Sequence, residues 1–354
     1  MTPPLILDLS LEELQAWFTQ NGEAPYRARQ LWHQLYRALA SDPLTLSDLP
    51  LALRQQLQQA FAFSSLEPTA TQHSSDGMTT KTLFQLRDGQ SIEAVLMRYD
   101  RRRTVCISTQ AGCAMGCSFC ATGQMGFGRN LTSGEIVEQV LNGARLLRSE
   151  GTQLTNIVVM GMGEPFHNYE ATMQAIDRLN DGTGFAFGAR RMTVSTVGIV
   201  PMIERFTQEH RQVKLAISLH AATNALRDQL LPFNRLYPLE ALLPACQRYV
   251  AQTHRRISFE WALIANVNDG LEQARALTQL LAGLTCHVNL IPLNPTAGYS
   301  GAATSAAAAQ AFAELLDWAG IPATLRQRRG IEIQAGCGQL AAPLARPPSA
   351  APSG

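Results

Sequence analysis

Three cysteines share one short stretch, Gln110-Ala-Gly-Cys113-Ala-Met-Gly-Cys117-Ser-Phe-Cys120-Ala-Thr-Gly. Their spacing is C-x3-C-x2-C, with an aromatic, Phe119, just before the last cysteine. Thiolates this close can hold a [4Fe–4S] cluster, whose usual complement is four cysteines. Three leave one iron without a protein ligand, and S-adenosylmethionine (SAM) can take it through its amino and carboxylate groups. Reductive cleavage of SAM there yields a carbon radical. The competing reading is zinc, which usually pairs a C-x2-4-C with a second Cys or His pair further on. No His lies near these cysteines, and the next Cys downstream is Cys246. The spacing favours the cluster.

Such a loop needs a scaffold that presents it at one end of a sheet. After Arg103 the pattern alternates strand and helix. Strands are predicted at 104–109, 156–160, 192–196, 214–219, 257–263 and 287–292. Helices are predicted at 133–148, 169–180, 201–209, 239–252, 271–282 and 307–319. Strands interleaved with helices imply parallel βαβ units. Six units make an α/β fold, a partial (β/α)6 barrel, open where a complete one has eight. Parallel α/β folds place ligands at strand C-terminal ends, and the cysteine loop follows the first strand. Upstream, 9–61 reads as helical. Ser10-Leu-Glu-Glu13 has the form of a capping box, and further helices fit 26–40 and 51–61. Stretches 79–86 and 91–99 read as strands around an Asp88-Gly89 turn. The expected organisation is an N-terminal helical accessory domain (1–62), a β-hairpin connector (63–98), the barrel (99–330) and a C-terminal loop with a flexible tail (331–354). From Gln339 the Ala, Pro and Ser content suggests loose chain.

With 46% of 354 residues hydrophobic, the chain can bury a substantial core. Lys+Arg 29 against Asp+Glu 28 leaves +1, so any nucleic-acid binding must use local patches. Candidates are Arg27, Arg29 and Arg37 with Tyr26 and Trp32, then Arg101, Arg102 and Arg103, then Arg326, Arg328 and Arg329. Each cluster alone also reads as a solvated face. Seven cysteines, an odd number, argue against a disulfide-scaffolded secreted protein. No signal-peptide pattern or run of 18 apolar residues is visible, so a soluble, cytoplasmic protein is expected.

Other strand ends carry candidate groups. Gly161-Met-Gly163-Glu164-Pro165 follows the second strand. Its glycines allow close approach to a ligand, and its carboxylate can receive an amino group; it also fits a plain βα turn. Ser195 ends the third strand, as a SAM carboxylate ligand or a helix cap. Ser218-Leu219-His220 ends the fourth, where a lone His is as often structural as site-lining. Asn294, in Ile-Pro-Leu-Asn-Pro, ends the sixth and can bind adenine or ribose, or serve as a turn residue before Pro. On their own, Cys106, Cys246, Cys286 and Cys337 read as small buried apolar residues, and Glu93 as an exposed strand glutamate.

The cysteine spacing resembles the signature of the radical SAM superfamily. Together with Gly-Met-Gly-Glu-Pro, Ser-Leu-His, Ile-Pro-Leu-Asn-Pro and Ala335-Gly-Cys337-Gly-Gln-Leu, it resembles the RlmN-type dual-specificity RNA adenine-C2 methyltransferases, from the N-terminal helices to about Leu340. The chain departs at Gly330-Ile-Glu-Ile-Gln, where an acidic Gly-Asp-Asp-like stretch is more usual. The resemblance implies cluster ligation by Cys113, Cys117 and Cys120. It implies SAM contacts from Gly163, Glu164, Pro165, Ser195, Ser218, Leu219, His220 and Asn294. One SAM would methylate Cys337 and a second would be cleaved to a radical that takes a hydrogen from the S-methyl group. The methylene would add to adenine C2, with Glu93 as proton acceptor. Cys106 would then attack the sulfur, release product and leave a transient disulfide with Cys337. The implied partners are 23S rRNA in its peptidyl-transferase region, tRNAs at the adenosine 3′ of the anticodon, and a flavodoxin- or ferredoxin-type reductant, with the chain a monomer. The Cfr-type group shares these motifs but methylates adenine C8 of 23S rRNA, and is the alternative.

Overall fold

The computed structural model describes residues 3–342. Its strands are β1 (Leu66–His73), β2 (Thr79–Leu86), β3 (Ser91–Arg98), β4 (Arg103–Ile107), β5 (Gln110–Gly112), β6 (Phe127–Asn130), β7 (Asn156–Val159), β8 (Met192–Thr196), β9 (Lys214–Ser218), β10 (Ile257–Leu263), β11 (Cys286–Pro292) and β12 (Ala323–Leu325). The helices are α1 (Leu11–Gln20), α2 (Tyr26–His33), α3 (Leu51–Ala60), α4 (Ala121–Gln124), α5 (Ser133–Ser149), α6 (Tyr169–Asn180), α7 (Val200–Gln208), α8 (Asn224–Leu230), α9 (Leu239–Thr253), α10 (Leu271–Leu280) and α11 (Ala306–Trp318).

One sheet runs β1-β2-β3-β4-β7-β8-β9-β10-β11-β12, and β5 pairs with β6 apart from it. From β4 to β12 the neighbours are parallel. β4 and β7 to β11 are the six strands of the expected partial barrel, and short β12 adds a parallel edge. The 79–99 hairpin is no separate connector: β3 pairs antiparallel with β4, so β1, β2 and β3 prolong the barrel sheet. β1 escaped sequence reading for a physical reason. It is an edge strand, exposed after Leu66, with a register shift between Pro68 and Ala70. Proline and absent alternation both mask a strand.

At the N-terminus, Ser10 and Glu13 form the capping box: Glu13 N–H donates to Ser10 Oγ and Ser10 N–H to Glu13 Oε2. The helix expected over 26–40 instead ends at His33 and continues as a π turn, Gln34–Ala38. Arg145 of α5 donates to Leu39 O, and Arg148 to Ala38 O and Arg37 O. Asp8 in turn caps α5, accepting the Gly134 N–H at 2.7 Å. The N-terminal helices and the barrel share one continuous apolar core. Fully buried Leu14, Phe18 and Leu31, at roughly 1.5–3 kcal/mol each, fix these helices firmly. Trp32 belongs to that joint. It is buried and donates its indole N–H to Asp181 Oδ2 at 2.8 Å, so it is unavailable for stacking on a base.

The tail expected to be loose from Gln339 is packed as far as the structure describes it. Gln339, Leu340 and Ala342 are buried; 343–354 lie outside the described residues. Among the described residues no helix is long and apolar enough to cross a membrane.

Candidate active site

The cysteine loop leaves β5 and enters α4, tied down by its own backbone. Cys113 N–H donates to Gly126 O at 2.7 Å, and Ser118 N–H to Leu230 O at 3.0 Å. Cys113 and Met115 pack with Val197, Leu230, Ile264 and Leu293, a small apolar cluster from four barrel loops. The three thiols line one cavity of about 240 Å3. Burial pushes Cys113 up to about 12, and burial with the neighbouring Cys120 and Cys113 raises Cys117 well above the ordinary thiol range. Without a metal these are thiols, and binding one releases their protons. Among the described residues no three His, Cys, Asp or Glu side chains converge on a single ion. The thiols instead share a cavity wall, and three thiols on one loop suit the corners of an iron–sulfur cluster.

Beneath this loop lies a residue that sequence reading missed. Arg227 is 1% exposed. Its guanidinium donates to Leu219 O, Val197 O, Ser218 O and Asn234 Oδ1 at 2.6–3.1 Å. Burial lowers its pKa to about 10, so it stays charged, and that charge opposes the upward shift of Cys117. An Arg on a short polar helix carries no local mark of burial.

The Gly-Met-Gly-Glu-Pro loop lies flush on β5. A Cβ at Gly163 would stand 2.5 Å from the Gln110 Cβ, and its φ is +96°. Glu164 is buried, and burial pushes its pKa to about 7. Its oxygens accept the Phe166 N–H at 2.9 Å and the Val197 N–H at 2.8 Å. Glu164 therefore fastens the loop after β7 to the loop after β8, besides facing the cavity. Ser195 Oγ and Ser218 Oγ sit 3.4 Å apart on the wall. Pro165 and Leu219 do not reach that wall, and Leu219 is fully buried. Asn294 donates Nδ2 to Cys337 O at 3.0 Å. Its Oδ1 is buried with no partner among the described residues, an acceptor suited to a polar ligand such as SAM.

His220 lines the cavity in a left-handed backbone conformation, φ +58°. Its Nδ1 accepts the Ala262 N–H at 2.9 Å, and its ring meets the edge of Phe119 at 4.9 Å. Burial above all, then Arg227, lowers its pKa from 6.5 to about 3. The folded chain thus keeps His220 neutral where the unfolded chain protonates it. Its contribution is whole above pH 6.5 and is lost toward pH 3, at ~1.4 kcal/mol per pH unit. Urea midpoints of the metal-free protein should fall on acidification below pH 6.5. His220→Asn should flatten that fall by about one proton. An unchanged slope in the variant would refute the neutral, buried His.

Cys106 and Cys337 face the same cavity, both as free thiols. Burial above all, then the neighbouring Cys337, pushes Cys106 up to about 12. Cys337 is exposed to the cavity, yet the surrounding protein, then Glu260, pushes it to about 12 as well. Its loop is packed rather than free: a Cβ at Gly336 would lie 2.6 Å from Asn294 Nδ2. Cys246 and Cys286 are buried.

Glu93 is buried, not exposed, at 5%. It shares a face of β3 with Val95 and Met97, which line the cavity, and Val95 pairs with Cys106. Glu93 is the next residue in that row, about 7 Å along the strand. Beyond Met97, Tyr99 stands at the rim between two guanidinium groups, Arg102 at 4.6 Å and Arg329 at 4.8 Å. A second groove beside it is lined by Arg101, Arg102 and Arg191.

The Radical SAM superfamily profile matches residues 107–274, and the ribosomal RNA large subunit methyltransferase N-terminal domain profile matches residues 5–62. The dual-specificity RNA methyltransferase RlmN 1 of Myxococcus xanthus is 51% identical over 341 residues, 96% of this chain and 95% of that protein. A probable dual-specificity RNA methyltransferase RlmN of Moorella thermoacetica is 50% identical over 93% of this chain and 94% of its own length. The crystal structure of a radical SAM methyltransferase from Sphaerobacter thermophilus superposes with a TM-score of 0.94 at 52% identity, covering 96% of this chain and 99% of that one.

Proposed function

The chain belongs to the RlmN family of radical SAM RNA methyltransferases, and we propose that it methylates adenine C2 in 23S rRNA and in a subset of tRNAs, with Cys337 as methyl carrier. One observation carries this reading: two free thiols from distant parts of the chain, Cys106 and Cys337, share a cavity with the three cysteines of the loop.

When bound at Cys113, Cys117 and Cys120, a [4Fe–4S] cluster supplies the electron that cleaves SAM to a carbon radical. The remaining work falls to side chains of this chain. Asn294, Ser195 and Ser218 offer polar contacts to SAM from the strand ends. Cys337, as thiolate, takes a methyl group from one SAM by displacement at carbon. A methyl cation cannot simply be delivered to adenine C2, which is itself electrophilic. Loss of one hydrogen atom from the S-methyl group to the radical derived from the second SAM, which becomes 5′-deoxyadenosine, leaves a methylene radical on the Cys337 sulfur and avoids that mismatch, because radical addition needs no electron-rich carbon. Glu93 then accepts the former C2 proton, a general-base role that a carboxylate beside an apolar cavity suits. Cys106, as thiolate, attacks the Cys337 sulfur; the sulfur–methylene bond breaks, its electron pair stays on the methylene carbon, which takes up a proton to become the methyl group, and the two cysteines are left as a disulfide. The one unpaired electron left over would return to a cluster held by Cys113, Cys117 and Cys120. The target base must be extruded from its stack. Arg102 and Arg329, both over the Tyr99 ring, offer two cations at the rim to meet the backbone of the extruded nucleotide.

The test is nucleoside mass spectrometry after anaerobic turnover on rRNA and tRNA fragments with methyl-deuterated SAM. The expected product is 2-methyladenosine that has lost one methyl deuterium to 5′-deoxyadenosine. Label at C8 instead would replace the proposal with the C8 chemistry. Intact trideuteromethyl would eliminate the carrier route.

A further inference from the structure

Glu93 does not stand alone. Lys81 Nζ lies 2.9 Å from Glu93 Oε1, and the two residues are only 7% and 5% exposed. A buried pair is weak evidence of stabilisation, whereas removing one partner strands the other charge. The informative feature is what else the pair holds. Lys81 also donates to Gln334 O at 3.4 Å, and Glu93 Oε2 accepts the Ala341 N–H at 2.9 Å. Gln334 and Ala341 lie on either side of Cys337, so the pair grips both ends of the carrier segment. The turn leading into β2 adds to the dock: Ser75 N–H donates to Glu332 Oε1 at 3.0 Å, and Arg329 pairs with Asp76 at 3.6 Å. The segment's ties on the cavity side are neutral. Ala121 N–H donates to Gly338 O, Thr122 Oγ1 to Leu340 O, and Asn294 Nδ2 to Cys337 O. At Glu93, by contrast, the grip includes a group whose charge the reaction itself changes.

We infer that Lys81 is a positioning residue that couples the charge on Glu93 to the placement of the Cys337 segment. The segment is held while Glu93 is a carboxylate and let go when Glu93 takes up the substrate proton. The inference rests on the proposed base role of Glu93. The proton leaves adenine C2 and neutralises Glu93, while Lys81 keeps its charge. The ion pair is then lost, and the bond from Ala341 changes from charge-assisted to ordinary, losing about half its strength. Ionised oxygens accept at more than one position each, so the grip leaves capacity for the incoming proton. Release falls at the moment when the Cys337 sulfur must turn from the base toward Cys106.

Hydrogen exchange on the whole free protein reads the grip without catalysis. Lys81→Met and Glu93→Gln should each speed exchange of the amides in 334–342 by at least about tenfold, and Lys81→Arg should stay near wild type. Amides of β7 and β8 should not change. Exchange in 334–342 equal to wild type in Lys81→Met would overturn the inference. If that variant does not fold, Ala341→Pro removes the N–H that Glu93 accepts and keeps the buried pair. Faster exchange across 334–340 then supports the grip, and unchanged exchange overturns it. In turnover, Lys81→Met should still methylate Cys337 but, with the segment loosened before the base is reached, should cleave SAM with little RNA–Cys337 adduct formed, read as more 5′-deoxyadenosine per methylated adenosine, with Lys81→Arg restoring the ratio. A purely structural Lys81 would lower both steps together. Normal turnover by Glu93→Gln would remove the base assignment, and with it the coupling, while the exchange measurements would still decide whether the grip exists.

Discussion

Cys337→Ala should abolish methylation of the protein and of RNA together, while Cys106→Ala should load the methyl group and then stall with RNA attached to Cys337. The two variants differ because the two thiols act at opposite ends of the proposed sequence. Cys337 accepts the one-carbon unit, so without its sulfur nothing can be carried. Cys106 acts only when the sulfur–methylene bond must be broken, so its loss leaves all earlier bonds made. Neither substitution should unfold the chain. Cys337 is exposed to the cavity and Cys106 is only partly buried, and trading a thiol for a methyl leaves a void costing about 1 kcal/mol. Resolution needs the sulfurs at bonding distance, which places the Cα atoms about 4.4–6.8 Å apart at that moment. Tryptic mass spectrometry would look for S-methylation at Cys337 and for a nucleotide bound there. Product release by Cys106→Ala at the wild-type rate would end the resolving role. Methylated RNA from Cys337→Ala would end the carrier reading.

What could be read from the sequence was what local pattern controls. α6 ends where its apolar period predicts, at Asn180, and β8 and β10 match their alternating runs residue for residue. The cysteine loop lies at the C-terminal side of the first parallel strand because that topology leaves ligand loops no other common place. What stayed hidden was decided by distant chain. Lys81 sits among threonines on a strand, with no local mark of burial. It is buried because a segment some 250 residues later folds over it and Glu93. Trp32 beside arginines suggests a stacking platform, yet Asp181 on a barrel loop claims its N–H. Glu164 reads as a receiver of an amino group or as part of a plain βα turn; it faces the cavity, and its carboxylate also accepts backbone N–H groups of two loops. In each case a polar residue's partner is chosen by tertiary contact, which no window of sequence contains.

Loss of iron and loss of stability should separate cleanly at the cluster loop. Cys117→Ala should leave the anaerobically purified protein with little iron where the wild type holds about four per chain, because two thiolates cannot retain a cubane that three hold. Its metal-free form should melt within a few degrees of wild type, since one small side chain at a cavity wall has been trimmed. Arg227→Met should do the reverse first. It removes a charge from the core and strands the carbonyls of Val197, Ser218 and Leu219, which the guanidinium now satisfies. Losing a set of buried, charge-assisted bonds costs about 3–5 kcal/mol, a fall in Tm on the order of 10 °C for a domain of this size. Those carbonyls belong to the last residue of β9 and to the loops after β8 and β9, and the cysteine loop packs on Val197 of the first of these loops. Iron binding by Arg227→Met should therefore weaken as a consequence, recovering at low temperature where the fold is intact. Iron and visible absorbance measured beside calorimetry decide the matter. Full iron in Cys117→Ala would dismiss it as a ligand. An unchanged Tm in Arg227→Met would show that the guanidinium is not what holds the strand ends together.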